Sequence, residues 1–483
     1  MQPGAAGAPG APLSEARELV APLAPLGGGA WAVGGGLRDA LLRRAVADLD
    51  VAVAGDAAEA ASTLARAHGA RRFRLSARFG AWRVYGGRLP YTVDLTPLQG
   101  GTIEDDLDRR DLTVNALALP VDGRDAILDR HRGLDDLAAR RLRLVSPAAL
   151  RADPVRLVRL ARLAHQLDFS IAPEAVERAR ADAPALVGAP GERVMEEVAR
   201  MLRLPRAWRG LERLDEIGVL GALVPELEAG RGLAQTPYHH LDVLGHTLEV
   251  VRHTAEITED PTPAFRSLGP RVAEVLAAPL ADGLSRGQAL LLSALLHDMA
   301  KPATVATTPE GRITFMGHDV LGAAEADAWC RRMRTSTRLR ETVALSVRQH
   351  LPLGFLVHRE PLSLRQIWRY LESTRPCEVD IIVLSVADRL ATRGPRTRES
   401  AIARHLALAR QVAEVHFRLV DRGPVRPLVA GDELARVLGR EPGPWLSALL
   451  TRLREEQVVG AVRTSDEAVR FAREWLPAHL DSI

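Results

Sequence analysis

The chain has 483 residues, too many for one ordinary domain and suggestive of roughly three or four. Hydrophobic residues at 47% supply ample core material, and an aromatic share of 4% with abundant Ala, Leu and Arg favours helix over sheet. A formal net charge of +3 assigns no polyanionic partner, two cysteines exclude a disulfide framework or thiolate zinc cluster and fit a reducing cytoplasm, and no uncharged apolar run approaches the ~20 residues of a bilayer span.

The opening MQPGAAGAPGAP lacks a basic region followed by an apolar core, so it reads as a short disordered leader and not a signal peptide. From about Leu13 to Leu144, apolar runs bounded by Gly, Pro and Asp alternate with helical stretches: AWAVGG, LDVAVAG, FRLSARFGAWRVYG, YTVDLTP, NALALPVDG and DAILDRHRG. These are strand signals and predict an α/β head on a small mixed sheet. From about Ser146 the helical period dominates, interrupted by Pro and Gly clusters, with GPVRPLVAG (Gly423 to Gly431) as a linker. The expected architecture is mainly α with an N-terminal α/β head (1–145), a basic helical neck (146–232), a His-rich helical body (233–422) and a small helical tail (423–483).

Gly34 and Gly35 follow the strand AWAV and precede a helix predicted to begin near Leu37, so backbone N–H groups there can hold phosphate oxygens, with Arg38 adding a permanent charge. Asp48 and Asp50 alternate with Leu49, Val51 and Val53, which puts both carboxylates on one face of a strand and the apolar side chains on the other. Two adjacent carboxylates call for a cation, and Mg²⁺ held there would activate an attacking 3′-hydroxyl and stabilise leaving pyrophosphate. Asp94, in YTVDL, either adds a third carboxylate from a neighbouring strand or faces solvent.

Next, in LDRRDLTVNALAL, Arg109, Arg110, Asp111 and Asn115 crowd the start of a predicted helix. Asp111 and Asn115, four residues apart, share one side of it and can bracket a ribose while the arginines meet phosphates; an ordinary Asp cap with exposed arginines explains the same string. In ALRADPVRLVRLARLAHQL, Pro154 suits a first helical turn and Arg156, Arg159 and Arg162 recur every three positions. Asp153 and Arg156 approach across one turn and offer acceptors and donors to a base edge.

In this order the motifs resemble the bacterial class II tRNA nucleotidyltransferase and poly(A) polymerase family, whose signatures GGxVRD with DxD, RRDxxxNA and EDxxR are matched by Gly34 to Asp39, Asp48 to Asp50, Arg109 to Ala116, and Ala152 to Arg156. The resemblance implies a polymerase-beta-like head in which Asp48 and Asp50 bind catalytic metal. It also implies that Gly34, Gly35, Arg38, Arg110, Asp111, Asn115 and Arg159 hold the nucleotide, and that Asp153 and Arg156 template the incoming base. Two departures stand out. Ala152 replaces the glutamate of EDxxR, and the stretch LTPLQGGTIEDDLD between Asp94 and Arg109 is shorter than the flexible loop of many CCA-adding members. In the family, loss of that loop accompanies addition of C without the switch to A.

A second constellation lies in HLDVLGHTLEVV, LLSALLHDMAKPA, FMGHDVLGA, VRQHLPLG and LSVADRL. His297 and Asp298 end an apolar helix, and His246, His318, His350 and Asp388 offer further ligands from separate segments. Their order resembles an HD-domain metal phosphohydrolase, which implies His246, His297, Asp298 and Asp388 as basic ligands and His318 and His350 as the pair for a second metal. Mixed His and carboxylate ligands suit Mn²⁺, Ni²⁺ or Fe²⁺ better than Ca²⁺. Lys301, the sole lysine, stands where it can contact a phosphate.

Together these resemblances imply a cytoplasmic enzyme that adds CMP and AMP from CTP and ATP to the tRNA 3′ end, with phosphatase or 2′,3′-cyclic phosphodiesterase activity in the body. The expected partners are tRNA and nucleotides, with no membrane and no stable protein partner. Arg156, Arg159, Arg162, Arg200 and Arg203 are expected to meet the RNA backbone. The alternatives are a poly(A) polymerase, a CC-adding enzyme, and an HD hydrolase with an inactive RNA-binding head.

Overall fold

The structure, a computed structural model, describes residues 13–26, 29–77, 79–122 and 126–479, so the predicted leader falls outside the described residues. They divide into two compact units, residues up to 198 with 213–223, and 199–212 with 224 onward.

The first unit holds a seven-stranded sheet: β1 Ala30–Val33, β2 Asp48–Val53, β3 Arg71–Ser76, β4 Ala81–Tyr85, β5 Thr92–Pro97, β6 Leu117–Pro120 and β7 Leu128–Asp129, in the order β3-β4-β5-β2-β1-β6-β7. All six predicted strand runs supply it. Only β2 and β5 pair in parallel, so the sheet is mixed. After a first helix α1 (Leu13–Val20), α2 (Gly34–Leu41) follows β1 and α3 (Ala57–His68) links β2 to the β3–β4 hairpin. Leu49, Val51 and Val53 are buried, as their alternation predicts. Helix α3 packs on β3, β4 and β5 through buried Ala60, Ala61 and Leu64, against the face carrying Val84, Val93 and Leu95. On the opposite face, α4 (Ile103–Asp108) places Ile103 and Leu107 in one cluster with Val33, Ala52 and Ala118, covering the β1 and β6 end.

One predicted element differs. Arg109 to Ala116 does not begin a helix: α4 ends before Arg109, Thr113–Asn115 forms a single 3₁₀ turn, and the chain enters β6. The residues from Asp111 to Pro120 are all buried, and pairing β6 with β1 satisfies its backbone while burying an apolar run on both faces. The four-residue spacing of Asp111 and Asn115 suits a helical turn, but the 3₁₀ turn brings the same two residues together without one.

Within the same unit, Asp153 takes an extended conformation after a four-residue helix (Ala149–Ala152), and Pro154 leads into α5 (Val155–Leu167). Helix α6 spans Gly191–Leu202.

The second unit is helical. Helix α7 (Val243–Glu259) packs on α8 (Arg286–Leu296) and α11 (Glu378–Ala391), and α9 (His318–Arg332) packs on α10 (Thr337–Gln349). Helix α8 is buried from Ala289 to Leu296 and starts with a Ser285–Gln288 capping box, so its position is fixed along its length. Beyond residues 423–430, which carry no helix, α12 (Pro444–Val458) and α13 (Ser465–His479) share a small core of Trp445, Leu449, Leu453, Ala468, Ala472 and Leu476. Among the described residues, no helix is long and apolar enough to cross a membrane.

Candidate active sites

In the first unit, β1 delivers the chain straight into α2, which starts at Gly34, three residues before the expected Leu37. Val33 provides no side-chain cap, so the N–H groups of the first turn are available to an anion. Gly34 has φ +72°, and a Cβ there would lie 2.7 Å from Asp50 Oδ2 and 3.2 Å from the Arg110 guanidinium. Gly36, which the sequence reading did not single out, is the second constrained glycine: a Cβ would sit 2.5 Å from the Asp48 carbonyl, so α2 can pack on β2 only without a side chain there. Gly35 faces no such limit.

Asp48 and Asp50 emerge from one face of β2, Asp48 exposed and Asp50 half-buried. Burial and then the Asp48 charge push the Asp50 carboxyl up to about 6, with the Arg110 and Arg159 charges opposing. Asp94 is the cross-strand partner of Asp50 on β5, but Arg83 holds it through two hydrogen bonds of 2.7 and 2.6 Å. It is therefore a neutralised neighbour of the carboxylate pair and not a solvent-facing residue.

The second motif forms a chain of polar contacts. Buried Arg38 donates to Asn115 Oδ1 at 2.8 Å and to Asp39; Asn115 Nδ2 donates to Asp111 Oδ1 at 3.0 Å; Arg159 on α5 reaches Asp111 Oδ2 at 3.3 Å and Glu197 at 2.9 Å. Burial raises the Asp111 carboxyl, but Arg159 and the Asn115 bond more than offset it, so it stays below the usual carboxylate range. The expected Asp111 and Asn115 pairing is thus present, made by a 3₁₀ turn in place of a helix. Arg110 pairs with Asp106 at 2.8 Å, whereas Arg109 is exposed.

The third motif requires one correction and gains one partner. Asp153 pairs bidentately with Arg193 of α6, at 3.1 and 2.8 Å, and against burial this pair, helped by the nearby Arg156 charge, holds its carboxyl below the usual range. Asp153 itself is extended ahead of α5, while Arg156 donates to the backbone carbonyls of Arg109 at 2.9 Å and Ala149 at 3.0 Å. Arg162 is buried against Glu197 at 2.6 Å and does not present itself to a ligand. A three-residue period drifts around a 3.6-residue helix, so the arginine row ends inside the protein. Arg200 and Arg203 are exposed. Neither Arg193 nor Glu197 was singled out from sequence, because each gains its meaning from a partner some 40 positions away.

In the second unit, the six predicted ligands meet as two triads: His246, His297 and Asp388, and Asp298, His318 and His350, each with ligand atoms within 4.8 Å of one another. All sit at helix ends or on inward faces, His246 on α7, His297 and Asp298 just after α8, His318 opening α9, His350 closing α10 and Asp388 on α11. Asp298 joins the triads, with His297 Nε2 at 3.0 Å, His318 Nε2 at 3.3 Å and His246 Nε2 at 3.7 Å. The Nδ1 atoms of His297, His318 and His350 each lie 2.6 to 2.7 Å from a backbone carbonyl three residues earlier, which assigns the proton to Nδ1 and leaves Nε2 as a lone pair facing the cluster. His297 Nε2 and both Asp298 oxygens are buried, and the groups around them are other candidate ligands and Lys301. Burial pushes His350 down to about 4, so it is neutral and ready to ligate near neutral pH. This buried set of imidazole and carboxylate donors fits a divalent transition metal.

The lone Lys301 is buried, 2.6 Å from Asp298 Oδ2 and 2.7 Å from Gln235 Oε1. A cavity of about 670 Å³ opens on the cluster, lined among others by His239, Lys301, Phe355, Arg389 and Arg404. His239, absent from the sequence reading, stacks edge-on against His246 at 4.8 Å.

Fold and geometry define a nucleotidyltransferase head carried in one chain with an HD-type helical body. The family models described as "Poly A polymerase head domain", "Probable RNA and SrmB- binding site of polymerase A" and "HD domain" match residues 30–98 with 85–143, 168–230 and 243–393. The chain is 36% identical to the A-adding tRNA nucleotidyltransferase of Deinococcus radiodurans, over 94% of this chain and 97% of that protein. To the CC-adding tRNA nucleotidyltransferase of Thermus thermophilus it is 35% identical, over 92% and 93%. A solved CCA-adding enzyme with ATP shares the fold at TM-score 0.64 and 16% identity, over 96% of this chain and 95% of that one. The chain belongs to the tRNA nucleotidyltransferase family and is a nucleotidyltransferase.

Proposed function

We propose that the head adds nucleotides to the 3′ end of tRNA, with Asp48 and Asp50 as ligands of Mg²⁺. The observation that carries this reading is the paired carboxylates on β2 beside the uncapped start of α2, with Gly34 giving the backbone its close approach to Asp50. Bound metal supplies activation of the attacking hydroxyl and charge compensation for pyrophosphate. The chain's own groups do the rest. N–H groups of Gly34 to Gly36 hold phosphate oxygens, Arg38 is locked by Asp39 and Asn115, and Asp111, Asn115 and Arg159 bracket the ribose. Asp153, fixed by Arg193, and Arg156, fixed by the Arg109 carbonyl, present acceptor and donor groups to the base. Arg193 takes over the orienting work that the family glutamate, here Ala152, does elsewhere.

Between β5 and α4 there are only five residues, 98–102, closed by a capping box of Thr102 and Asp105. In the family, loss of the loop at this place accompanies CMP addition without the switch to AMP, and the short, capped connection here supports that product. Relatives named for A addition and for CC addition are about equally similar to this chain, so overall identity does not choose the product. The finer division into head, neck, body and tail at 145, 232 and 422 is part of the same proposal. The free, buried Cys330 and Cys377 support a reducing, cytoplasmic setting.

The body is proposed to be a phosphohydrolase holding Mn²⁺, Ni²⁺ or Fe²⁺ at the two triads, a reading favoured by the buried His and Asp donors that converge beside the cavity. Primer choice tests the head's function. Offered equal concentrations of a tRNA lacking its 3′ CCA and a generic RNA, the enzyme is expected to extend the tRNA at least tenfold faster; preference for the generic RNA with ATP alone would make it a poly(A) polymerase.

A further inference from the structure

Directly opposed residues in a sheet share a face. Asp50 opposes Asp94, Asp94 opposes Arg83 and Arg83 opposes Phe73, so one row crosses four strands from β2 to the edge strand β3. At ~4.8 Å per strand it spans about 14 Å, the length of a few nucleotides. Beside Phe73, Arg71 opposes Tyr85, and the Phe73 and Tyr85 rings meet edge to face at 5.7 Å. The two rings are 44% and 38% exposed. Their exposure is not forced by packing, because α3 occupies the other face and α4 covers this one only toward β1 and β6.

We propose that this exposed end of the carboxylate face is a stacking platform for the unpaired 3′-terminal nucleotides of the RNA primer. Bases stack on Phe73 and Tyr85, Arg71 meets a backbone phosphate, and the row leads the terminal hydroxyl along β4 and β5 to Asp48 and Asp50. Aromatic rings beside arginines are the combination that binds single strands with little base preference. Charge selects this occupant over a second copy of the chain: β3 carries exposed Arg71, Arg72 and Arg74, so two such edges would repel, while a polyanion is attracted. Arg83 remains committed to Asp94 and acts as a spacer.

The inference rests on the tRNA-end reading, and its test separates the two. A tRNA primer that ends within CCA and carries 2-aminopurine two nucleotides before its 3′ end, where the span from Asp50 to Phe73 places the stacked base, is titrated into the full-length wild-type enzyme and into a Phe73→Ala, Tyr85→Ala double variant, and steady-state constants are measured for both. The wild type is expected to quench the fluorescence. In the double variant quenching should be lost and primer KM should rise at least about tenfold, with KM for CTP, kcat at saturation and melting temperature unchanged. Phe73→Trp with Tyr85→Phe should restore both signals. Wild-type quenching and primer KM in the double variant would overturn the platform, as would a shift from dimer to monomer with primer binding intact, which would make the patch a contact between copies. The fluorescence needs binding alone, so failure of the wild type to incorporate nucleotide would overturn the tRNA-extension reading and leave the platform to be judged by quenching.

Discussion

Asp48→Ala and Asp50→Ala are each expected to lower nucleotide incorporation by at least about a thousandfold, while phosphate-ester hydrolysis by the body and the melting temperature stay near wild type. Metal-assisted phosphoryl transfer draws several kcal/mol of transition-state stabilisation from the bound cation, and each 1.4 kcal/mol is about tenfold in rate. The folded protein loses little, because Asp48 is exposed and the burial-raised Asp50 carboxyl is held at an energetic disadvantage without a cation. Removing either charge relieves repulsion in the apo state and removes a ligand in the working one. The checks are radiolabelled CTP incorporation, a phosphatase assay and thermal melting on the same preparations. Residual incorporation within tenfold of wild type would show that the metal is held elsewhere.

Asp298→Asn carries the second large effect, in the other unit. Asp298 is within reach of ligands from both triads, so its loss should abolish metal binding at both, and hydrolysis of phosphomonoesters and 2′,3′-cyclic phosphates should fall at least about a thousandfold. Incorporation at the head should persist. Stability gives an independent readout. At metal concentrations near a hundred times Kd, binding stabilises the fold by about 2.7 kcal/mol, so added Mn²⁺ should raise the melting temperature of the wild type and not of the variant. Without metal the variant should still melt lower, because Lys301 is left as a buried ammonium with neutral acceptors alone, Gln235 and the new amide, and removing the charged partner of a buried pair costs about 3 kcal/mol or more. Equal metal content in wild type and variant, measured by elemental analysis, would contradict the assignment.

The strands of the head were readable from sequence because each is bounded by Gly, Pro or Asp and alternates or clusters apolar residues. The segment from Arg109 to Ala116 was not, since the four-residue spacing of Asp111 and Asn115 suits a helix, whereas the chain makes only a single 3₁₀ turn there before entering β6. Candidate ligands in the body were legible as His and Asp at helix ends, yet their division into two triads and the joining role of Asp298 depend on how five segments converge. Asp153 shows the limit most sharply. Its i, i+3 spacing to Arg156 brings that charge near, but its hydrogen bonds go to Arg193, 40 positions away, and no local pattern announces such a partner. Gly36 and His239 escaped for a similar reason, because their constraints come from the backbone of β2 and the ring of His246.

The central claim is that the head builds the 3′ end of tRNA, and one assay reads it directly. Transcripts of one tRNA ending before, within and after CCA are incubated with the wild-type enzyme, Mg²⁺ and CTP alone, ATP alone or both, and products are resolved to single nucleotides. The account predicts that only incomplete ends grow, that growth stops at a fixed length, and that CTP supports addition to the transcript ending before CCA. No extension of any transcript, or an unbounded run of A on all of them, would contradict it.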